Sequence, residues 1–221
     1  MGKKKDRRLE LLSLIPENAK KILDVGCGCA GLSAKLRKEG REIVGVERDR
    51  SAYEKAKEKI DKVFLANAEE FELPYPKGYF DCIIYADVLD CFKDPSTVLK
   101  MHKIYLKDGG LMIASMANIR YYKVIIRLIF GGTWDYTDGG ILWKEHLRFF
   151  TLINIIELFR GAGFSMSEIK RNIVAARVFK FLNFVLLGSL KDFITYQYYI
   201  KAKKDKEELL APLRRRPIYK F

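Results

Sequence analysis

The sequence predicts an α/β protein built on a doubly wound, mostly parallel sheet. Short apolar runs alternate with segments of helical periodicity, and a glycine-rich turn follows the first apolar run in 22–31, ILDVGCGCAG. Strands of a parallel sheet are buried on both faces and therefore show such continuous apolar runs, with helices covering the sheet. A chain of 221 residues suffices for one domain of this kind.

The strands and helices are expected at short intervals along the chain. A short amphipathic helix over 6–14 ends before Pro16. Apolar runs or alternation predict strands over 21–25, 42–47, 63–67, 80–87, 111–117, 164–172 and 193–204. Helical spacing predicts helices over 32–40 (capped by Gly40), 51–61, 96–106 (stopped by Gly109-Gly110), 152–164 and 177–190.

The alternation breaks after Ala117, which suggests how the single domain is organised. We expect residues 16–117 to form the ligand-binding half of the sheet. Residues 118–150 are aromatic and punctuated by glycine, as expected of an inserted lid over a substrate. An apolar helical insert over 177–190 and a basic tail over 205–221 complete the chain.

The net charge of +13 is concentrated at the two ends of the chain. Residues 1–8 contribute +4 and residues 201–221 contribute +5, from eight Lys or Arg against three acids. Charge placed in this way is typical of solvated tails, so nucleic acid is not favoured as a partner. The sequence shows neither a secretory leader nor an apolar run of about 18–20 residues, which indicates a cytoplasmic protein.

The apolar insert over 177–190 leaves three interpretations open. Arg177 and Lys180 alternate with large apolar side chains. Such a helix suits contact with anionic lipid at the periphery of a membrane, a homodimer surface, or a cover over the last strands.

The cysteine pattern does not predict a metal site. Cys27, Cys29, Cys82 and Cys91 form no C-x-x-C pair, and the chain has only two histidines. Reduced, structural thiols are therefore expected.

The glycine turn itself fits two classes of nucleoside cofactor. Gly26, Gly28 and Gly31 satisfy G-x-G-x-x-G, and Glu47 ends the second strand 21 residues after Gly26, where it suits a ribose. Asp24 separates the classes, because a carboxylate beside the turn repels a pyrophosphate and attracts an ammonium or sulfonium group. A sulfonium cofactor is favoured, with a nicotinamide-dependent oxidoreductase as the alternative.

Four ordered segments resemble the motifs of class I S-adenosylmethionine-dependent methyltransferases. They are ILDVGCGCAG, GVERD (45–49), NAEEFELPYPKGYFDCIIYADVLD (67–90) and LKDGG (106–110). The resemblance is close over about 16–115. It implies S-adenosylmethionine as cofactor and a Rossmann-like seven-stranded sheet, in which 164–172 and 193–204 form the final antiparallel pair.

The resemblance also implies roles for individual residues. Asp24 would face the methionyl amine and Glu47 the ribose, while Asn67, where the family usually has an acid, and Ala68 would address the adenine. Asp87 would lie beside the cofactor and the acceptor. Asp81 begins a strand and is expected to have a structural role. The implied cofactor-binding residues are Asp24, Gly26, Cys27, Gly28, Glu47, Asn67, Ala68 and Asp87.

Residues 115–151 resemble a narrower group, the methyltransferase domains of glycan and O-antigen synthesis, with some similarity to methionine-biosynthesis protein W. Ala117 and Trp143 depart from that pattern. The resemblance implies O-methylation of a small molecule or of a glycan or lipid-linked acceptor.

Within this lid, His146 is the candidate general base, and a buried histidine that fixes the loop beside Arg148 is the alternative. Asp87, which lies outside the lid, is the second catalytic candidate. Aromatic side chains of the lid would form a wall over the acceptor or cover the lid's own core, and Arg120 or Arg148 would meet an anion or pair with Asp135 or Glu145. His102 is expected to be exposed on its helix. The candidate acceptor-binding residues are Asn118, Tyr121, Trp134, Tyr136 and Arg148, with Tyr122 in the same aromatic wall.

Two further functions are weighed against this one. A methyltransferase acting on nucleic-acid amino groups usually has Asn/Asp-Pro-Pro-aromatic after the fourth strand, where residues 86–89 read Ala-Asp-Val-Leu, and no Pro-Cys pair for cytosine chemistry occurs. A non-catalytic binding protein would be favoured only by Asn67.

Overall fold

The computed structural model describes residues 7–205, and these form one seven-stranded mixed sheet. The strand order is β3-β2-β1-β4-β5-β7-β6. The first five strands pair in parallel, whereas β7 runs antiparallel to both β5 and β6. The predicted fold class is thereby confirmed. The strands are β1 (Lys21–Val25), β2 (Glu42–Glu47), β3 (Lys62–Leu65), β4 (Phe80–Ala86), β5 (Leu106–Ala117), β6 (Phe164–Ile173) and β7 (Thr195–Lys204).

Helices lie between the strands, and polar side chains cap several of them. Asp49 accepts a hydrogen bond from the amide of Ala52, and Asp94 accepts bonds from two amides of the following helix. Thr151 and Asn154 form a capping box. The helices are α1 (Arg7–Leu12), α2 (Arg50–Lys57), α3 (Pro95–Lys103), α4 (Tyr122–Gly131), α5 (Leu152–Gly161) and α6 (Arg177–Val185).

Alternate residues of the strands supply two hydrophobic clusters, one on each face of the sheet. Along β1, Leu23 belongs to the cluster that also holds Tyr85 and Phe159, whereas Ile22 belongs to the cluster that holds Ile43. Each of these side chains is fully buried. Burial on both faces explains why the central strands are apolar throughout.

The chain reverses its direction of winding at β1. The chain passes from β1 to β2 on one side and later returns to place β4 on the other. Parallel strands end at the same edge of a sheet, and a crevice forms there between the two halves. Because β7 is antiparallel, its first residues reach the same edge, with Gln197 opposite Ala117.

The predicted helix over 32–40 is wrong, since this segment forms only a short 3₁₀ helix, Ser33–Leu36. At Arg37 the backbone is already extended. The guanidinium of Arg41 donates hydrogen bonds to the carbonyls of Leu36, Ala19, Glu17 and Pro16. Of these carbonyls only that of Leu36 lies in the segment, and a continuing helix would have used it.

Two other boundaries differ from the sequence predictions. Gly109 and Gly110 do not stop a helix but lie inside β5, where Gly109 has a φ of +76° and the register with β4 shifts. The lid segment contains the unpredicted helix α4. Of the predicted tail 205–221, all but Asp205 lies outside the described residues, as do residues 1–6. Within 7–205, no helix is long and apolar enough to cross a membrane.

His102 is buried, and its predicted exposure is wrong. The side chain is 1% exposed, and its Nδ1 shares a 2.7 Å hydrogen bond with the hydroxyl of Tyr85. Burial lowers the pKa of His102 to about 4, because the charged imidazolium loses its hydration. Asp81 has the structural role predicted for it. Its carboxylate accepts hydrogen bonds from the amides of Lys20 and Lys21 and forms an ion pair with Lys107.

The buried imidazole makes stability depend on pH. The unfolded chain binds a proton at His102 below its ordinary pKa near 6.5, whereas the folded chain does so only near 4. Stability therefore falls as the pH drops through this interval. Between neutral pH and about pH 4.5, urea unfolding should show the wild type losing on the order of 2 kcal/mol more than His102→Gln. Equal losses in the two proteins would contradict this assignment.

Candidate active site

A cavity of about 1120 Å³ lies over the carboxyl ends of the central strands. Residues that end β1, β2, β4 and β5 line it, together with the first residues of β7 and part of the lid. The position is the one expected from the reversal of winding at β1.

The glycine turn after β1 forms one wall of the cavity, and its glycines have different roles. Gly26 has a φ of +69°, and a Cβ there would lie 2.5 Å from Cγ2 of Val88. Gly28 has a φ of +53°, and its missing Cβ would meet no described atom within 4 Å. Gly26 is thus required by packing, whereas Gly28 presents bare backbone to the cavity.

Glu47 is held by two backbone amides at the end of β2. Its Oε2 accepts from the amide of Gly28 at 2.7 Å and its Oε1 from that of Asp49 at 2.8 Å. The side chain is largely buried and lines the cavity. A carboxylate offers about four lone pairs, so two hydroxyl donors can still bind it.

The adjoining walls carry Asp24, Asn67 and Ala68. Asp24 is 1% exposed at the end of β1. Asn67 shapes its own turn, since Oδ1 accepts from the amide of Glu69 and Nδ2 donates to Glu70. Cys27 is buried, and burial among acidic groups raises the pKa of its thiol, which keeps it protonated.

Asp87 connects three strands beside the cavity. Its Oδ1 accepts from Oγ of Ser115 on β5 at 2.6 Å and from Nε2 of Gln197 on β7. Its amide donates to Oγ of Ser115 at 3.0 Å. The backbone at Asp87 has a φ of +57°, a strained value for a residue with a side chain.

Asp90 is a second acid in the cavity wall, and the sequence analysis did not single it out. It lies in the 3₁₀ turn Leu89–Cys91 and is 2% exposed. Burial, and to a lesser extent the nearby charge of Asp87, raises the pKa of Asp90 to about 8. Its Oδ2 accepts from the amide of Ala117 at 3.2 Å, and Oδ1 has no hydrogen-bond partner among residues 7–205.

His146 lies in the lid with its ring lining the cavity. Nδ1 is 2.9 Å from the carbonyl oxygen of Ile141, and the rings of Trp143 and Phe149 stand edge-on to the imidazole. The ring is 7% exposed. These contacts fix its orientation.

The lid is joined to the end of β2 by an exposed ion pair. Nη2 of Arg48 lies 2.8 Å from Oε2 of Glu145. Both residues line the cavity, and each follows or precedes another lining residue, Glu47 or His146. The ion pair therefore links the part of the cavity wall at Glu47 to the part at His146.

Comparisons with known proteins agree with this geometry. A family model described as "Methyltransferase domain" matches residues 1–169. A ubiquinone biosynthesis O-methyltransferase of Cereibacter sphaeroides is 29% identical over 161 residues, 70% of this chain and 64% of that protein. One from Acinetobacter baylyi is 25% identical over 132 residues, 53% of this chain and 56% of that protein. The chain thus spans roughly half to two thirds of these relatives. A solved S-adenosylmethionine-dependent methyltransferase from Archaeoglobus fulgidus superposes with a TM-score of 0.67 at 17% identity, covering 89% of this chain and 92% of that one.

The chain belongs to the methyltransferase domain family. Its cofactor is S-adenosylmethionine, and the cavity suits such a cation. Asp24, Glu47 and Asp87 line it. The one Arg or Lys among its described lining residues is Arg48, which is paired with Glu145. An acidic wall attracts a sulfonium and an ammonium group and disfavours a pyrophosphate.

The methyltransferase cavity contains the predicted cofactor-side residues but not the predicted acceptor-side ones. Asp24, Gly26, Cys27, Gly28, Glu47, Asn67, Ala68 and Asp87 all line it, as does His146. The candidates that do not line it are Asn118, Tyr121, Trp134, Tyr136 and Arg148.

Four of those five side chains have a structural partner, and the fifth, Tyr136, is exposed. Asn118 is fully buried and donates to the carbonyls of Asp192 and Thr195. Tyr121 is buried in the lid's own core with its hydroxyl on the carbonyl of Val174, and Tyr122 packs in the same cluster. Trp134 packs edge-on against Phe149, and Tyr136 is 57% exposed. Arg148 donates to the carbonyl of Lys93.

The predicted ion pairs of the lid are also wrong in their partners. Asp135 lies 3.6 Å from Arg127, Glu145 pairs with Arg48, and Arg120 lies 3.9 Å from Asp192. The lid therefore uses these charges to fix its own position.

Part of the cavity is lined by residues that the sequence analysis missed, and we refer to this part as the acceptor side. One signal was available, because Gln197 opens a strand expected to be antiparallel and so belongs at the edge of the sheet that holds the cofactor. The missed lining residues of this side are Asp90, Cys91, Phe92, Asp138, Gly139, Gly140, Trp143, Glu145, Tyr196, Gln197 and Tyr199.

Glu47→Gln should weaken cofactor binding without unfolding the protein. The amide keeps one acceptor oxygen but loses the charge that strengthens hydrogen bonds from ribose hydroxyls. Titration calorimetry with S-adenosylhomocysteine should show about 10- to 100-fold weaker binding. Glu54→Gln, an exposed change on α2, is the control and should bind normally. Undiminished affinity in Glu47→Gln would remove the assigned ribose contact.

Proposed function

We propose that this methyltransferase transfers the methyl group to a hydroxyl oxygen of a small organic acceptor, with His146 as the general base. The observation that carries the proposal is the 2.9 Å contact between Nδ1 of His146 and the carbonyl oxygen of Ile141. A carbonyl cannot donate, so Nδ1 carries a proton, and in the neutral imidazole Nε2 then holds the free electron pair.

A base at this position favours a hydroxyl acceptor over a carboxylate. S-adenosylmethionine supplies an electrophilic methyl group on a sulfonium. The acceptor oxygen forms a bond to that methyl carbon as the carbon–sulfur bond breaks, and the hydroxyl proton passes to Nε2 of His146. A carboxylate acceptor would need no such base. The names of the curated relatives, O-methyltransferases of ubiquinone biosynthesis, support the same class of acceptor.

The lining of the acceptor side suits a planar, apolar molecule that carries oxygen. Phe92, Trp143, Tyr196 and Tyr199 line it. The glycan acceptor was implied by the resemblance of residues 115–151, and the aromatic wall expected over it includes Trp134 and Tyr136, which do not line the cavity. A phenol or catechol is therefore favoured over a sugar.

Asp90 acts as a hydrogen-bond donor and as a positioning residue. With its pKa raised to about 8 by burial, the carboxyl is protonated at neutral pH and can donate to an acceptor oxygen beside the reacting hydroxyl. Its backbone carbonyl accepts from the amides of Leu147 at 2.8 Å and Arg148 at 3.0 Å. This pair of bonds anchors the lid directly after His146.

His146→Ala should reduce methyl transfer and leave cofactor affinity unchanged. Loss of a general base costs roughly 100- to 10,000-fold in kcat. Transfer from S-adenosylmethionine carrying a labelled methyl group is measured with a panel of catechols, phenols, sugars and primary amines. Calorimetry with S-adenosylhomocysteine checks that the cavity is intact, and Lys144→Ala, a neighbouring exposed residue, is the matched control.

Two outcomes would contradict the proposed reaction. Methylation of the amines but of no hydroxyl would assign a different acceptor atom. Turnover of a phenol by His146→Ala at the wild-type rate would remove His146 as the base.

Asp90→Asn should change the pH profile rather than the rate at neutral pH. The wild-type carboxyl loses its donor proton as the pH rises through about 8, so activity should fall there. The side-chain amide of the variant can donate a hydrogen bond at all pH values. The alkaline decline in kcat/KM should therefore disappear. Asp90→Leu, which has no donor, should be slow throughout. An unchanged alkaline decline in Asp90→Asn would show that another group causes it.

A further inference from the structure

Helices α4 and α6 lie at the edge of the sheet that holds the cavity. Helix α4 begins five residues after Ala117, which ends β5. Helix α6 connects the end of β6 to the start of β7, where Gln197 stands opposite Ala117. Ala117 and Gln197 both line the cavity. The two helices therefore lie on the side of the molecule that holds the cavity.

Helix α4, which belongs to the lid, packs against helix α6 and against other residues of the lid. The rings of Tyr122 on α4 and Phe179 on α6 lie 4.4 Å apart. They belong to a small cluster that includes Tyr121 and Ile141. The amide of Tyr122 also donates to the carbonyl of Phe193. One face of each helix is thus used for packing, and the helices form one unit.

The remaining faces of these helices expose many large apolar side chains. Phe130 is 83% exposed, Phe184 is 78% exposed, and Leu187, just after α6, is 95% exposed. A monomer rarely leaves such a concentration of apolar surface uncovered. The exposed set is Ile126, Leu128, Ile129 and Phe130 on α4, and Val178, Phe181, Leu182, Phe184, Val185, Leu186 and Leu187 on or after α6.

Basic residues outnumber acidic ones around this apolar surface, although Arg127 is paired with Asp135. Residues 117–134 contain three Lys or Arg and no Asp or Glu, and residues 173–191 have the same count. The basic residues of the helices include Lys123 and Arg127 on α4 and Arg177 on α6. Helices that expose apolar side chains beside basic ones bind the interface of anionic membranes.

We propose that the exposed faces of α4 and α6, with residues 186–187, dock on an anionic lipid bilayer. The apolar side chains enter the boundary between headgroups and acyl chains, and the basic residues meet the anionic headgroups. A second copy of the chain is a poorer occupant, because a twofold interface would bring two equally basic faces together. Docking here places the cavity edge beside the membrane, from which an apolar acceptor can enter; only this last step rests on the proposed function.

Flotation of the full chain with vesicles tests the surface directly. One set of vesicles contains phosphatidylcholine alone, and the other contains equal parts of phosphatidylcholine and phosphatidylglycerol. The wild type should bind the second set more tightly. The double substitution Phe181→Ser and Phe184→Ser should weaken this binding ~10-fold or more, because two rings no longer enter the boundary between headgroups and acyl chains. Ile153→Ser on α5, a side chain 62% exposed, is the matched control and should bind as the wild type does.

The charge component is tested separately. Lys123→Gln together with Arg177→Gln should weaken binding to the anionic vesicles by about fivefold for each charge removed. Affinity for S-adenosylhomocysteine, measured in every variant, shows that the fold is kept. Because vesicle binding requires no methyl transfer, its failure is distinguishable from failure of the proposed reaction.

Three results would overturn the proposal. The first is a wild type that floats with neither set of vesicles. The second is binding that the paired serine substitutions leave unchanged, which would assign it to the charged ends of the chain. The third is a dimer in sedimentation velocity that the same substitutions dissociate, which would assign the surface to a second copy.

Discussion

The hydrogen bonds of Asp87 determine how the two halves of the cavity meet. The carboxylate accepts from Ser115 and Gln197, and so fixes the end of β4 against β5 and β7. Its left-handed backbone turns the chain toward Asp90, whose carbonyl then anchors the lid. The strain at this residue is sustained by the strands on either side. The cofactor walls and the acceptor walls are therefore held in one frame.

The cofactor half could be predicted because its residues follow from local rules. Each cofactor candidate lies at or just after the end of a strand, and parallel strands end at one edge. This reasoning singled out Asp24, the glycine turn and Glu47, the resemblance added Asp87, and all of them line the cavity. The same reasoning failed over 32–40, because the bonds of Arg41 to carbonyls distant in sequence cannot be read from helical periodicity.

The acceptor half could be predicted only in part because the lid is folded by contacts between distant segments. Tyr121 and Asn118 carry polar groups suited to a ligand, yet their partners are the backbone of β7 and its neighbours. Nothing in the sequence tells a tyrosine that covers a small core from one that covers an acceptor. His146 was singled out because the lid has one histidine, and it lines the cavity. Asp90 was missed because its burial and its raised pKa arise from the folded surroundings and not from any pattern in the sequence.

The ion pair between Arg48 and Glu145 has a consequence for turnover. Both side chains are about half exposed, and exposed pairs stabilise a structure by about 0–1 kcal/mol. An energy of that size is close to that of thermal motion. For turnover, the pair is therefore only a weak restraint on the lid, and dissolved salt, by screening it, weakens this restraint further.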